Sequence, residues 1–394
     1  MPTGLYISVP FCRSKCSYCN FASGVFSAGL MTRYVERVCD DMRSARQTAA
    51  RVGAEFDLRV DSIYVGGGTP TALAPEDLQV MLDCPREVFE VAPGAEITVE
   101  CAPGTLTPEM LQTLVGFGVN RVSLGVQSFV DREAAAVGRL HNRAVVLDDI
   151  ARLRALGVGN INLDLIAGLP HQTAESWKYS LDEALAVVPP HISVYMLEVD
   201  EDSRLGREVI AGGTRYHAHD VPSEDLVAEL YEIACQKLGR GGYEHYEISN
   251  FCWKGAESRH NLKYWTRQPY LGFGVDAHSM LPASGGDVEA VRFATTDDLD
   301  AYLAGEVPAS SFISRQAALE ETLFLGLRLN RGVDLQRVAL SFGESAIREL
   351  IPIMRELERD RLAELAGRVL RLTDRGRLLS NEVFQRFLAP QLHA

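Results

Sequence analysis

The sequence predicts an α/β fold: a partial (β/α)6 barrel of the TIM type, then a smaller α+β region, then a helical, winged-helix-like C-terminal domain. Three observations carry this. Six short runs rich in Val, Ile and Leu alternate with amphipathic stretches of helical length. That alternation stops near residue 240. A mostly helical pattern broken by one hairpin then closes the chain.

In order, the predicted strands are "LYISV" (5–9), "SIYV" (62–65), "EITVE" (96–100), "RVSLGV" (121–126), "NINLDLI" (160–166) and "ISVYML" (192–197). The helical stretches between and after them run about 28–52, 75–91, 107–117, 142–156, 174–187 and 223–240. Leu147, Ile150, Ala151, Leu153 and Leu156 mark the apolar face of one of them. Thr107-Pro108-Glu109 reads as an N-cap with proline at the first helical position, and Gly116 and Gly118 end that helix. Six β-then-α units predict a parallel sheet with right-handed crossovers, short of the eight that close a full barrel. Residues 1–240 form this core. Residues 241–295 are aromatic and Gly-rich, with "YEHYEISNF", "PYLGFGVDAHS" and the turn-rich "PASGGD" (282–287). Residues 296–394 read as helices near 315–327, 334–342 and 344–357, a hairpin at 362–373, and a last helical run "RGRLLSNEVFQRFL".

Of 394 residues, 39 are Lys or Arg and 53 are Asp or Glu, giving a net charge of −14. That balance argues against a broad nucleic-acid footprint. The sequence has no apolar run of about 18 residues, so no membrane span is expected. The start lacks a basic segment and a small-residue cleavage site, which predicts a cytoplasmic protein without a signal peptide. Five of the eight cysteines, Cys39, Cys84, Cys101, Cys235 and Cys252, are scattered as buried thiols of a reducing compartment would be.

The other three, Cys12, Cys16 and Cys19, lie in "SVPFCRSKCSYCNF" at spacing C-x3-C-x2-C, just past the first strand. Barrel sheets gather functional residues at strand C-terminal ends. The second strand leads into "GGGTP" (66–70), the third ends in Glu100, the fourth leads to Gln127, and the fifth carries Asp164. Each alone is an ordinary turn or cap residue; all of them at one rim form a coherent set. Thiolates favour iron–sulfur clusters or zinc. Four-iron clusters are usually held by four cysteines, so three leave one iron open to a small molecule. A structural zinc would want a fourth Cys or His, and none occurs in the ten residues after Cys19. Cluster, zinc and three unrelated thiols all stand at this point.

The cysteine spacing, with Tyr18 before the last cysteine, resembles the radical S-adenosylmethionine superfamily. "LYISVPFC", "YVGGGTPT", "EITVECAPG", "NRVSLGVQSF", "GRLHNR", "INLDLIAGLPHQT" and "LLSNEVFQRF" together resemble its oxygen-independent coproporphyrinogen III oxidase-like group. The resemblance implies a [4Fe-4S] cluster on Cys12, Cys16 and Cys19, whose open iron binds the amino and carboxylate groups of S-adenosylmethionine. It implies that Tyr6, Tyr18, Gly67, Gly68, Thr69, Glu100, Gln127, Arg139 and Asp164 line the S-adenosylmethionine site. Glu100 and Asp164 suit amino and hydroxyl donors, and Arg139 suits a carboxylate. Ala102 stands where the group's haem-chaperone branch usually has asparagine.

Two departures point to the haem-chaperone (HemW) branch. True dehydrogenases of the group carry a fourth cysteine two residues after the third; here that residue is Phe21. They also carry a long segment before the first strand, and here only four residues precede Leu5. "HNLKYW" (260–265) matches the branch's HN-x2-YW motif, associated there with haem. Its composition fits: His260 as axial ligand, Tyr264 and Trp265 as flat faces, Lys263 for a propionate. His245 and His278 compete as ligands. The resemblance implies haem as partner, a membrane-associated haemoprotein acceptor, an electron donor and no nucleic acid, with monomer and homodimer both open. The other readings are a coproporphyrinogen III dehydrogenase and a methyltransferase-like haem-degrading radical enzyme.

Overall fold

The computed structural model describes residues 1–285 and 288–388; Gly286 and Asp287, which end the turn-rich stretch, and residues 389–394 lie outside it. Strands β1 (Thr3–Val9), β2 (Arg59–Gly67), β3 (Glu90–Cys101), β4 (Arg121–Gln127), β5 (Asn160–Ala167) and β6 (His191–Met196) pair in parallel in sequence order. They match the six predicted runs, five of them lengthened and the last shifted by one residue. Between them run α1 (Ala28–Arg43), α2 (Ala45–Arg51), α3 (Pro75–Val88), α4 (Pro108–Gly116), α5 (Asp131–Ala136), α6 (Arg143–Ala155) and α7 (Ala174–Val187). After β6 come α8 (Arg204–Ile210), a short 3-10 segment at Arg215–Asp220, and α9 (Glu224–Arg240).

Local chemistry explains the starts. Met110 N–H donates to the Thr107 side chain ahead of α4, Val145 N–H to Asn142 ahead of α6, and Leu226 N–H to Ser223 ahead of α9. Thr173 and Ser176 form a reciprocal capping box on α7. The core lies between sheet and helices, with Leu5, Ile7, Val65, Val99, Leu124 and Leu163 fully buried against residues such as Tyr34, Leu78 and Trp177.

The later segments depart from a simple tail. Strands β7 (Glu244–Glu247), β8 (Asn250–Cys252), β9 (Tyr270–Phe273), β10 (His278–Pro282), β11 (Val288–Ala294) and β12 (Ala309–Ser314) join the same sheet, in the order β12-β11-β10-β9-β1-β2-β3-β4-β5-β6-β8-β7. β9 runs parallel to β1, with Gly4 opposite Tyr270, and adds a seventh parallel strand that the β-then-α pattern does not reveal. β12 is also unforeseen, lying inside the stretch read as helical. Between β8 and β9 sits α10 (Arg259–Trp265), so HNLKYW is helical.

After α11 (Leu299–Ala304), the C-terminal part packs α12 (Arg315–Gly326), α13 (Leu335–Phe342) and α14 (Glu344–Arg359) around a three-stranded sheet. Its strands are β13 (Val333–Asp334), β14 (Ala363–Ala366) and β15 (Val369–Leu372), in the order β13-β15-β14. Two short helices, α15 (Asp374–Leu378) and α16 (Ser380–Gln385), follow. Helices plus this small antiparallel wing agree with the winged-helix reading. Among the described residues, no helix is long and apolar enough to cross a membrane.

Candidate functional site

The site begins where β1 ends. Phe11 is buried against Tyr34, ring centroids 5.0 Å apart, and the Tyr34 hydroxyl donates to Ser8 O at 2.7 Å. Beyond this anchor the chain loops out and returns: Cys12 N–H donates to Gly24 O and Gly24 N–H to Pro10 O. The three cysteines sit on this loop as free thiols.

Neighbouring segments clamp it. Ser17 N–H donates to Val137 O, and Leu205 N–H donates to Ser17 O. Asn20 Nδ2 donates to Asp200 at 2.6 Å, and the Arg204 guanidinium donates to Lys15 O. Tyr18 packs beneath the loop against Val137, Ile166 and Leu169.

Each sulfur has a polar neighbour. Thr69 Oγ1 donates to Cys12 Sγ (3.7 Å), Arg139 Nη1 donates to Cys16 Sγ (3.5 Å), and Ser23 Oγ lies 4.0 Å from Cys19 Sγ. Burial pushes the Cys12 thiol up, so a thiolate there needs compensating positive charge. Iron would supply that charge, and the surrounding donors suit sulfur ligands. The donor set therefore fits a metal–sulfur group.

The glycine run fits close approach. Gly67 has φ +100° and its N–H donates to Glu100 Oε2 at 3.2 Å. A Cβ on Gly68 would meet Val9 O at 2.7 Å and Phe11 O at 2.8 Å, so only glycine lets this strand end lie against the cysteine loop. A Cβ on Gly66 would strike the Glu100 carboxyl at 2.7 Å.

One layer down, the barrel interior is polar. The Tyr64 hydroxyl donates to Glu100 Oε1 at 2.7 Å. Burial pushes Glu100 up to about 7. Asp164 accepts from Ser123 Oγ and Asn162 Nδ2, both at 2.8 Å, and burial raises it too. Gln127 is buried with φ +66°, and Arg139 reaches Gly125 O. A cavity of about 320 Å³ is lined by Cys16, Thr69, Ala102, Gly104, Arg139 and His141, among others. The cysteines, the glycine run, Glu100, Gln127 and Arg139 thus gather at one end, with Tyr6 and Asp164 a step inside.

His260, Tyr264 and Trp265 do not join them. Helix α10 lies across the opposite, N-terminal end of the strands. Glu96, where β3 resumes pairing with β2 after an irregularity, accepts from Ser258 Oγ (3.5 Å), Arg259 N–H (3.1 Å) and His260 N–H (3.1 Å), capping α10. His260 is fully buried, with Nδ1 3.1 Å from Ser62 Oγ and Nε2 2.8 Å from the Tyr264 hydroxyl. Burial, with Lys263 and Arg121 nearby, pushes its imidazole down to about 3. Lys263, suggested as a propionate partner, is buried and pairs with Asp61 Oδ1 at 2.7 Å and Pro2 O at 2.9 Å. The Arg328 guanidinium covers the Trp265 ring at 4.2 Å. Tyr6 and Tyr64 span the gap, their rings 6.4 and 5.5 Å from His260. His245 stacks on Phe251 and meets Ile248 O at 3.1 Å, whereas His278 is exposed. Sequence reasoning missed Tyr64, Ser62 and Glu96; the period-two pattern of β2 and β3 was the available signal for their shared interior face.

Comparison with known proteins identifies the family. The radical SAM superfamily profile matches residues 6–184, and that of the HemN C-terminal domain matches 313–379. The chain is 35% identical to heme chaperone HemW of Bacillus subtilis, across 97% of this chain and 98% of the relative. It is 31% identical to heme chaperone HemW of Lactococcus lactis, across 100% and 99% respectively. Among solved structures, coproporphyrinogen III oxidase (HemN) from Escherichia coli superposes with TM-score 0.81 at 22% identity, covering 98% of this chain and 90% of that one. That likeness shows the shared fold. Membership of the superfamily implies a four-iron cluster and S-adenosylmethionine. The chain belongs to the radical SAM superfamily and, within its coproporphyrinogen oxidase-like group, to the HemW family.

Proposed function

We propose that the protein is a cytoplasmic haem chaperone: it binds haem and delivers it to a membrane-associated haemoprotein, using a cluster reduced by a separate electron donor. One observation carries this reading. The similarity to relatives named heme chaperone runs end to end, through both the barrel and the C-terminal part. Phe21, in the place of a fourth cysteine, argues in the same direction, against the dehydrogenase alternative.

In this reading Cys12, Cys16 and Cys19 hold the cluster. Tyr6, Tyr18, Gly67, Gly68, Thr69, Glu100, Gln127, Arg139 and Asp164 form the S-adenosylmethionine site. The bound cofactor supplies one-electron chemistry or a structural lock. The chain's own contribution is positional. Gly67 and Gly68 leave room for backbone approach, and Arg139 offers charge to a carboxylate. Glu100 gives up its proton near neutral pH and then accepts from an amino group.

Haem ligation by His260 has a structural condition. Its Nε2 must leave the Tyr264 hydroxyl, so haem loading and closure of the barrel end by α10 are alternatives. His260→Ala should abolish haem binding, while Tyr264→Phe, which frees Nε2, should strengthen it; absorption titrations of haem into the full chain measure both. Unchanged affinity in both variants would move the axial ligand elsewhere. The function itself is tested by anaerobic turnover of coproporphyrinogen III alongside haem titration. Stoichiometric haem binding without protoporphyrinogen formation is expected, and turnover would establish the enzyme instead.

A further inference from the structure

A second group of potential metal ligands lies away from the cysteine loop. His171, in the turn after β5, faces the 3-10 segment that carries His217 and Asp220. One ring nitrogen of His171, one of His217 and a carboxylate oxygen of Asp220 all lie within 4.8 Å of one another. Asp220 Oδ2 is 3.2 Å from His171 Nδ1 and 3.7 Å from His217 Nδ1. The two carboxylate–imidazole separations, 3.2 and 3.7 Å, match ligand atoms sharing one ion at about 2 Å each.

The scaffold holds these side chains in place. Gln172 is buried; its Oε1 accepts from Gly168 N–H and its Nε2 donates to Glu133, fixing the turn that carries His171. His171 N–H donates to Asp220 O at 2.9 Å, joining the two segments through the backbone. His171, Tyr216 and His217 have φ of +68°, +56° and +60°, a backbone region that side-chain-bearing residues seldom adopt. Two other groups face the cluster. Arg132 Nη2 lies 3.3 Å from His171 Nδ1 on an exposed side chain, and exposed His219 approaches Asp220 Oδ2 at 3.3 Å.

The position gives the cluster a use. Helix α8 packs on the 3-10 segment, and its first residues, Arg204 and Leu205, clasp the cysteine loop at Lys15 and Ser17. Arg204 also covers the Tyr216 ring at 5.3 Å. An ion held by His171, His217 and Asp220 would therefore tie the turn after β5 to the segment that clasps the cysteine loop.

We propose that His171, His217 and Asp220 form a second metal site, for a divalent ion of the zinc class, that braces this clasp. Two imidazoles and a carboxylate suit zinc, cobalt or ferrous iron and leave a position for water or for His219. Arg132 swings outward when the ion binds.

The test uses the full chain, anaerobic and loaded with its cluster, equilibrated with buffered zinc and analysed for zinc and iron together. We expect one zinc per chain beyond the iron, and about a tenfold or greater loss of zinc affinity in His217→Ala and Asp220→Ala with iron content unchanged. His217 is half exposed, so its variant retains the fold. The zinc absorption edge should show imidazole scattering, and zinc should slow tryptic cleavage around Arg204–Arg215. Zinc retention equal in wild type and both variants, or a sulfur-dominated zinc shell, would overturn the site. Unaltered cleavage would overturn the bracing role. Iron measured in the same sample separates this outcome from any failure of the cluster assignment.

Discussion

The two ends of the barrel are built on opposite principles. At the C-terminal end the cysteine loop is held mostly by backbone hydrogen bonds and its lip is apolar and open: Phe21, Val25 and Leu140 are 58, 64 and 74% exposed. At the N-terminal end α10 is sealed, with His260 and Lys263 at 0 and 2% exposure and their polar atoms paired. The open end keeps sulfur ligands free for an added group. The closed end uses the same kinds of polar residue to stop one end of a barrel. Residue type therefore does not distinguish a ligand from a plug: with α10 closed His260 is fully paired, and it can ligate only when that pairing is released.

The largest expected effect breaks the open end. Cys16→Ala should reduce iron from about four atoms per chain to below about one after anaerobic reconstitution. Its stability before reconstitution should fall by only about 1 kcal/mol, because a single buried Sγ is lost. Full iron retention would remove Cys16 as a ligand.

Breaking the closed end should act on stability instead. Glu96→Ala leaves the first turn of α10 without its acceptor in a buried setting, costing about 2–3 kcal/mol. Denaturant unfolding measures this, and iron content should remain that of the wild type. If iron fell with stability unchanged, the division of labour between the ends would be wrong.

Why the two ends were not equally legible follows from these particulars. The six β/α units announce themselves through local periodicity and caps, as at Thr107 and Asn142. The cysteine loop is contiguous, and its spacing carries chemistry by itself. The closed end depends on long-range partners: Lys263 meets Asp61, His260 meets Ser62, and β9 pairs with β1. None of these pairs leaves a local pattern. An aromatic, His-containing segment reads equally as a porphyrin cradle or as a buried plug. The histidine–aspartate cluster at residues 171, 217 and 220 was illegible for the same reason, since its ligands come from two separate segments.

A smaller effect sharpens the comparison through pH, without added S-adenosylmethionine. Glu100 titrates near 7 in the fold against an ordinary 4.5. Between those values the fold keeps a proton that the unfolded chain has released, so this group's stabilisation is lost as pH rises to 7. His260 titrates near 3 against an ordinary 6.5. Between those values the unfolded chain gains a proton that the fold excludes, so stability rises with pH. Each contribution is on the order of a few kcal/mol. Glu100→Gln should remove the first slope and His260→Gln the second, read from chemical-denaturation midpoints between pH 4 and pH 8. Slopes unaffected by either variant would mean that neither group is buried as described.

The most direct measurement is Mössbauer spectroscopy of oxygen-free, iron-57-reconstituted protein, recorded before and after adding S-adenosylmethionine. The account predicts a four-iron cluster in which one iron, lacking a cysteine, changes its signal when the compound binds. A protein that takes up a single zinc in the cysteine loop and assembles no cluster would contradict it.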